Sequence, residues 1–155
     1  MVLAEYNQCV DAYADKAYRF ALKLCGNREM ASNVVKAAFA HLWSIKEGLA
    51  PKEVKKTLFK TCYSQLVLKR VGESNSSAVN TSTPPDGNSL TYLVDKGLGN
   101  LPAKQKAILM LRDYEGFSYE EISMITEMDI IQVKSLMYRS RKALKSYIVK
   151  NRFSV

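Results

Sequence analysis

Seven basic side chains, Lys134, Arg139, Arg141, Lys142, Lys145, Lys150 and Arg152, follow Asp129 with no acidic residue among them or after them. On a helix, such a set offers guanidinium and ammonium donors to the phosphates of a nucleic acid, while residues near the helix start reach base edges. Ile131, Gln132, Lys134 and Ser135 stand at that start and are the base-edge candidates; Arg139, Arg141 and Lys142 are the phosphate candidates. A second basic set, Lys52, Lys55, Lys56, Lys60, Lys69 and Arg70, is interleaved with Phe59 and Tyr63. Cations alternating with rings suit melted strands, whose bases stack on aromatic faces. The same pattern also describes a helix with Phe59 in a core and its lysines in water. Other chemistry finds no constellation. There is no Gly-rich phosphate loop, nucleophile elbow or metal-ligand cluster, and His41 is the only histidine, so a His-based metal site cannot be assembled. The expectation is a binding protein and not an enzyme, without cofactor, metal or small-molecule substrate.

The elements that must position the first set read LPAKQKAILMLRDYEGFSYEEISMITEMDIIQVKSLMYRSRKALKS over residues 101–146. Pro102 starts a helix that ends near Tyr114, and Gly116 breaks it. Ser118 caps a short helix, with Glu121 three residues later completing a capping box. Ile122 and Ile125 point inward, Met128 sits in the next turn, and Asp129 caps the last helix, over about 130–150. Ile130, Val133, Met137, Leu144 and Ile148 are the apolar positions of that helix. Two short helices joined by a turn, the second of them basic, make a helix-turn-helix, whose second helix has the width of a DNA major groove.

The rest of the 155-residue chain is organised around residues 72–88, GESNSSAVNTSTPPDGN, which carry no large apolar residue except Val79. That composition predicts a flexible linker between modules 1–71 and 89–155. The first module has 12 basic against 6 acidic residues, the second 11 against 7, and the linker only two acids. The overall charge of +8 therefore favours an anionic partner for both modules, nucleic acid before an acidic protein or a membrane surface. The first module predicts three helices, at about 3–24, 28–45 and 52–71. Gly26 and Asn27 end the first; Gly48 and Pro51 separate the second from the third. Val34, Val35, Ala38, Phe39, Leu42 and Trp43 form the apolar face of the second helix and are expected in its core, with His41 on the surface. No segment alternates with period two, so the fold class is all-α. No apolar run reaches the roughly 18 residues of a membrane span. The acid-containing start does not read as a signal peptide, and Cys9, Cys25 and Cys62 are an odd number without a close pair. Reduced, buried thiols in a cytoplasmic protein are expected.

The strings LPAKQKAILMLRDYEGFSYEEIS and VKSLMYRSRKAL, with YRFALKLCGNREMASNVVKAAFAHLW and TLFKTCYSQLV before the linker, resemble the sigma-70 family of bacterial transcription initiation factors, in its compact extracytoplasmic-function (ECF) group. The resemblance implies two small helical domains joined by a flexible linker: a region 2 three-helix bundle over 1–71 and a region 4 helix-turn-helix over 89–155. It implies core RNA polymerase and promoter DNA as partners, with an anti-sigma factor as a regulatory one. Region 4 would read the upstream promoter element and touch the polymerase flap. Region 2 would meet the polymerase clamp through Asn33, Val34, Lys36 and Ala37, and the downstream element through Lys60, Tyr63, Ser64, Lys69 and Arg70. Departures concentrate in region 2. Residues 30–37 read MASNVVKA where the family carries an acid-rich segment, Ser64 replaces an Asn, and Leu68 an Asp. In region 4, Glu127 replaces a turn Gly and Leu136 an Arg. Two other readings accompany the active initiation factor: a diverged sigma-like DNA-binding regulator, and an interaction protein held by an anti-sigma factor without productive polymerase engagement.

Overall fold

The computed structural model describes residues 3–68 and 90–153, and among them there is helix and turn but no strand. The expected linker 72–88 and the candidates Lys69 and Arg70 lie outside the described residues. Two compact units emerge, one drawn from residues 1–77 together with Met124–Glu127 and the other from Ala78–Ser123 and Met128–Val155.

The first unit packs α1 (Leu3–Cys25), α2 (Arg28–Ser44) and α3 (Val54–Tyr63) on one another. Gly26 takes φ +66°, and its N–H returns to the Leu22 carbonyl at 2.7 Å, which closes α1 in a left-handed cap that glycine adopts without steric cost. Asn27 starts the next helix instead of ending the last, because its side chain accepts the Met30 N–H at 3.0 Å. Small residues at the helix contacts, Ala17 and Ala21 on α1 with Ala31 and Ala38 on α2, are all fully buried and let the helices approach. Phe20 and Phe59 meet edge to face at the centre, with ring centroids 5.1 Å apart. Short 3₁₀ turns at Lys46–Gly48 and Pro51–Glu53 carry the chain from α2 to α3. Beyond Tyr63 the helix widens into a π turn over Ser64–Leu68.

Two core expectations for α2 fail at its edge. Val34 is only half-buried, and Trp43 is 40% exposed. Trp43 stacks its edge on Tyr6 at 4.9 Å and takes the Lys46 ammonium 3.9 Å over its ring, so it covers the rim of the core without entering it. Cys25 and Cys62 are buried as expected, and burial pushes the Cys62 thiol up to about 12, while Cys9 is half-buried.

In the second unit, α4 (Leu90–Gly99), α5 (Ala103–Leu109) and α6 (Tyr119–Thr126) up to Ser123 accompany the long α7 (Ile130–Phe153). Gly97 lets α4 lie against α7, since a Cβ there would stand 2.6 Å from Leu144 Cδ1 and 2.9 Å from Tyr147 Cδ1. Ile108, Leu111, Ile122 and Val133 are fully buried and form the core. No described helix is long and apolar enough to cross a membrane.

Burial predicts a clear contrast between two aromatic residues of α3. Phe59→Ala should destabilise the first unit by about 3–5 kcal/mol. Tyr63 is fully buried, but its hydroxyl has no hydrogen-bond partner among the described residues. Tyr63→Phe should therefore leave stability unchanged or raise it by about 1 kcal/mol. Urea unfolding followed by the fluorescence of Trp43, the single tryptophan, measures both.

Candidate nucleic-acid interface

The start of α7 is fixed by two reciprocal caps. Glu121 N–H donates to Ser118 Oγ at 3.1 Å while Ser118 N–H donates to Glu121 Oε1 at 3.0 Å, which closes the N-terminus of α6. The same device recurs one helix later. Gln132 N–H donates to Asp129 Oδ1 at 2.8 Å and Asp129 N–H to Gln132 Oε1 at 3.0 Å. Between them the chain reverses at Glu127, whose φ of +60° lies in the left-handed region. Ser123 Oγ donates to the Met128 carbonyl and ties α6 to that turn.

Val133, Met137 and Ser140 are buried on the inner side of α7, where Ser140 Oγ donates to the Leu136 carbonyl at 2.7 Å. The opposite side is then fixed by helical periodicity. Ile131, at 76% exposure, begins an outward stripe that continues through Lys134, Ser135, Tyr138 and Lys142, all exposed. At 1.5 Å per residue this stripe runs for roughly 16 Å. Arg139 flanks it on one side and Arg141 on the other. The stripe matches a major groove in shape and charge, with polar and methyl-bearing groups at its start and cations further on.

The structure thus gathers Ile131, Lys134, Ser135, Arg139 and Lys142 from the sequence candidates and sets two apart. Gln132, also exposed, spends its amide oxygen on the cap. Arg141 is not free: its Nη2 donates to Asp113 Oδ1 at 2.8 Å. Two residues escaped the sequence reading. Tyr138 is 69% exposed at seven residues from Ile131, a spacing that periodicity alone could have revealed. Tyr119 carries the Arg112 guanidinium 4.5 Å from its ring centre and the Lys134 ammonium at 5.7 Å, so that the ring orients a base-edge candidate; no local signal announces this. Arg112 is held in turn by donating to the Phe117 carbonyl at 2.9 Å.

In the first unit, Lys60 is exposed and Ser64 half-buried in the π turn, but Tyr63 is enclosed. Burial also pushes its hydroxyl up to about 12, and a ring so enclosed offers no face to a base, which corrects the expectation that it stacks on a melted strand. Asn33, Val34 and Ala37 line one shallow depression of about 380 Å³ with Met30 and Gln65. Lys36 does not join them. It lies on the rim of a separate groove of about 750 Å³ between α1 and α2, with Tyr6, Val10, Phe39 and Trp43. His41 is exposed on α2 as expected.

Residues 93–144 match the model of the family described as Sigma-70, region 4. Over 163 residues, 96% of this chain, the sequence is 24% identical to an ECF RNA polymerase sigma factor, SigE, of Mycolicibacterium smegmatis, and it spans 63% of that protein's length. It is 26% identical over 150 residues, 87% of the chain, to the ECF RNA polymerase sigma factor SigL of Mycobacterium tuberculosis, of which it spans 84%. The fold is similar to that of the sigma factor RpoE, solved in complex with the anti-sigma factor NepR from Bartonella quintana, with a TM-score of 0.71 and 20% identity over 94% of this chain and 98% of that one.

The stripe makes a prediction for duplex DNA. Arg139→Ala and Lys142→Ala should each flatten the salt dependence of binding by about 0.9 in log–log slope, the value of one lost phosphate contact. Gln132→Ala should lower the stability of the second unit by about 1 kcal/mol while leaving sequence preference unchanged. Anisotropy titrations across a salt series, paired with thermal unfolding, measure both.

Proposed function

The chain belongs to the ECF group of the sigma-70 family, and on that premise we propose that it is a cytoplasmic transcription initiation factor that binds core RNA polymerase and directs it to promoters. The single observation that carries this reading is the outward stripe of α7, which is exposed, positively charged and held by a capped helix-turn-helix. In this reading the second unit reads the upstream element. Ile131, Lys134, Ser135 and Tyr138 face base edges, while Arg139 and Lys142 face phosphates. The first unit serves the downstream element with Lys60 and Ser64, together with Lys69 and Arg70. The polymerase clamp meets the depression at Asn33, Val34 and Ala37, with Lys36 outside it. An anti-sigma factor, the kind of partner present in the complex of the structural neighbour, would regulate the chain by competing for these surfaces. Recruitment of this kind needs no catalytic group in the chain itself.

The reading of a diverged regulator rests on one specific observation: Met30, Ser32, Asn33 and Ala37 stand where the family carries acids that meet a basic clamp. Neutral contacts contribute less than charge-assisted ones. A pull-down of the full chain with core RNA polymerase, followed by run-off transcription from selected promoters, separates the two. An initiation factor is retained by core and gives a specific transcript; a regulator binds the same DNA without either. Within that assay, Asn33→Asp with Ala37→Glu, both exposed positions, should tighten binding to a generic core polymerase severalfold. Tight binding by the parent with no gain on acidification would place the clamp contact elsewhere or show it adapted to a different polymerase surface.

A further inference from the structure

An ion pair between α7 and the segment that ends α5 joins Arg141 to Asp113, 28 residues earlier. Arg139, Lys142 and Lys145, its basic neighbours on α7, have no ion-pair partner among the described residues. We propose that Asp113 is a positioning residue that withholds Arg141 from the DNA backbone, so that α7 presents one phosphate contact fewer than its sequence offers. The inference rests on the reading of α7 as the DNA-facing helix and adds a residue that sets how strongly that helix holds any DNA.

The geometry that puts Asp113 there is built into the end of α5. The helix widens into a π turn over Met110–Tyr114, in which the Glu115 N–H returns to the Met110 carbonyl, five residues back, at 3.0 Å. Gly116, at φ +76°, then ends it, with its N–H on the Arg112 carbonyl at 3.2 Å. Turns of this widened type recur at functional sites because the extra residue re-aims the side chains around it. Here the re-aimed segment sends neighbouring side chains to different tasks. Arg112 goes to the Phe117 carbonyl and the Tyr119 ring, and Asp113 goes to Arg141.

Stability alone does not account for the pair. Its two side chains are 48% and 47% exposed, and ion pairs so wetted contribute little to folding. What the pair changes is the charge on one flank of the stripe. Phosphate contacts carry no sequence information, so a free Arg141 would raise binding to all DNA alike. With Asp113 in place, affinity for arbitrary duplex stays lower while the base-edge residues are untouched, which matters where nonspecific sites vastly outnumber specific ones.

A double-mutant cycle on the full chain tests this, using a duplex of arbitrary sequence and anisotropy titrations from 50 to 200 mM salt, roughly the range over which such contacts are resolved. Asp113→Asn should steepen the log–log slope by about 0.9, an extra loss of roughly 3.5-fold across that range. Arg141→Ala alone should leave the parent slope in place, and Asp113→Asn combined with Arg141→Ala should return to it. If the effect of Asp113→Asn persists without Arg141, the acid acts by simple repulsion and the proposal is overturned. If Arg141→Ala alone flattens the slope as much as Arg139→Ala, Arg141 already sits on phosphate and the proposal is likewise overturned. Both of those outcomes keep α7 as the DNA-facing helix. Identical binding by the parent and Arg139→Ala at every salt concentration would remove that reading and this inference with it.

Discussion

The second unit depends on α7 being buried along one side and wetted along the other. Val133 and Met137 cannot leave the core without exposing apolar surface, and Gly97 admits the Leu144 and Tyr147 side chains only at close range. With that side committed, rotation of the helix is fixed, and Ile131, Ser135 and Tyr138 have nowhere to point but outward. The Asp129–Gln132 cap fixes the remaining freedom, the position at which the helix begins. Presentation of the outward stripe thus follows from packing, before any property of DNA is considered.

Electrostatics refines what packing presents. A run of cations without acids would repel itself and bind any polyanion. The structure holds two of those charges in place by different means. Lys134 lies beside the electron-rich face of Tyr119, and Arg141 lies on Asp113. In each case the partner comes from the α5–α6 segment, so the same turn that ends α5 also governs how α7 is dressed. The first unit has the opposite character. Its α2 sets a single acid, Glu29, beside the neutral side chains of Met30, Asn33, Val34 and Ala37 around one shallow depression.

Helix ends were readable from the sequence because each is set by one or two local residues. Gly26, Gly116, Ser118 with Glu121, and Asp129 all stand where their conformational or hydrogen-bonding preferences put them. The inward pair Ile122 and Ile125 was readable for the same reason, from spacing alone. Periodicity failed at the margins of a stripe. Trp43 follows Phe39 by one turn yet lies at the rim, and Tyr63 follows Phe59 by one turn yet is enclosed, because neighbouring elements decide how far a core extends around a helix. The Asp113–Arg141 pair and the Tyr119–Lys134 contact had no local signature. They join residues 28 and 15 positions apart, and the first depends on a π turn that propensity does not announce.

When the chain is bound to core polymerase, one face of α7, and only that face, should meet promoter DNA. Photo-cross-linking tests this, with a photoreactive side chain placed at Tyr138 on the outward stripe or at Ala143, which is also exposed but lies about 140° further around the helix. In the assembly of full chain, core RNA polymerase and promoter duplex, cross-links to upstream DNA are expected from position 138 and none from position 143. Cross-links from 143 without any from 138 would contradict it, because a different exposed side of α7 would then meet the DNA.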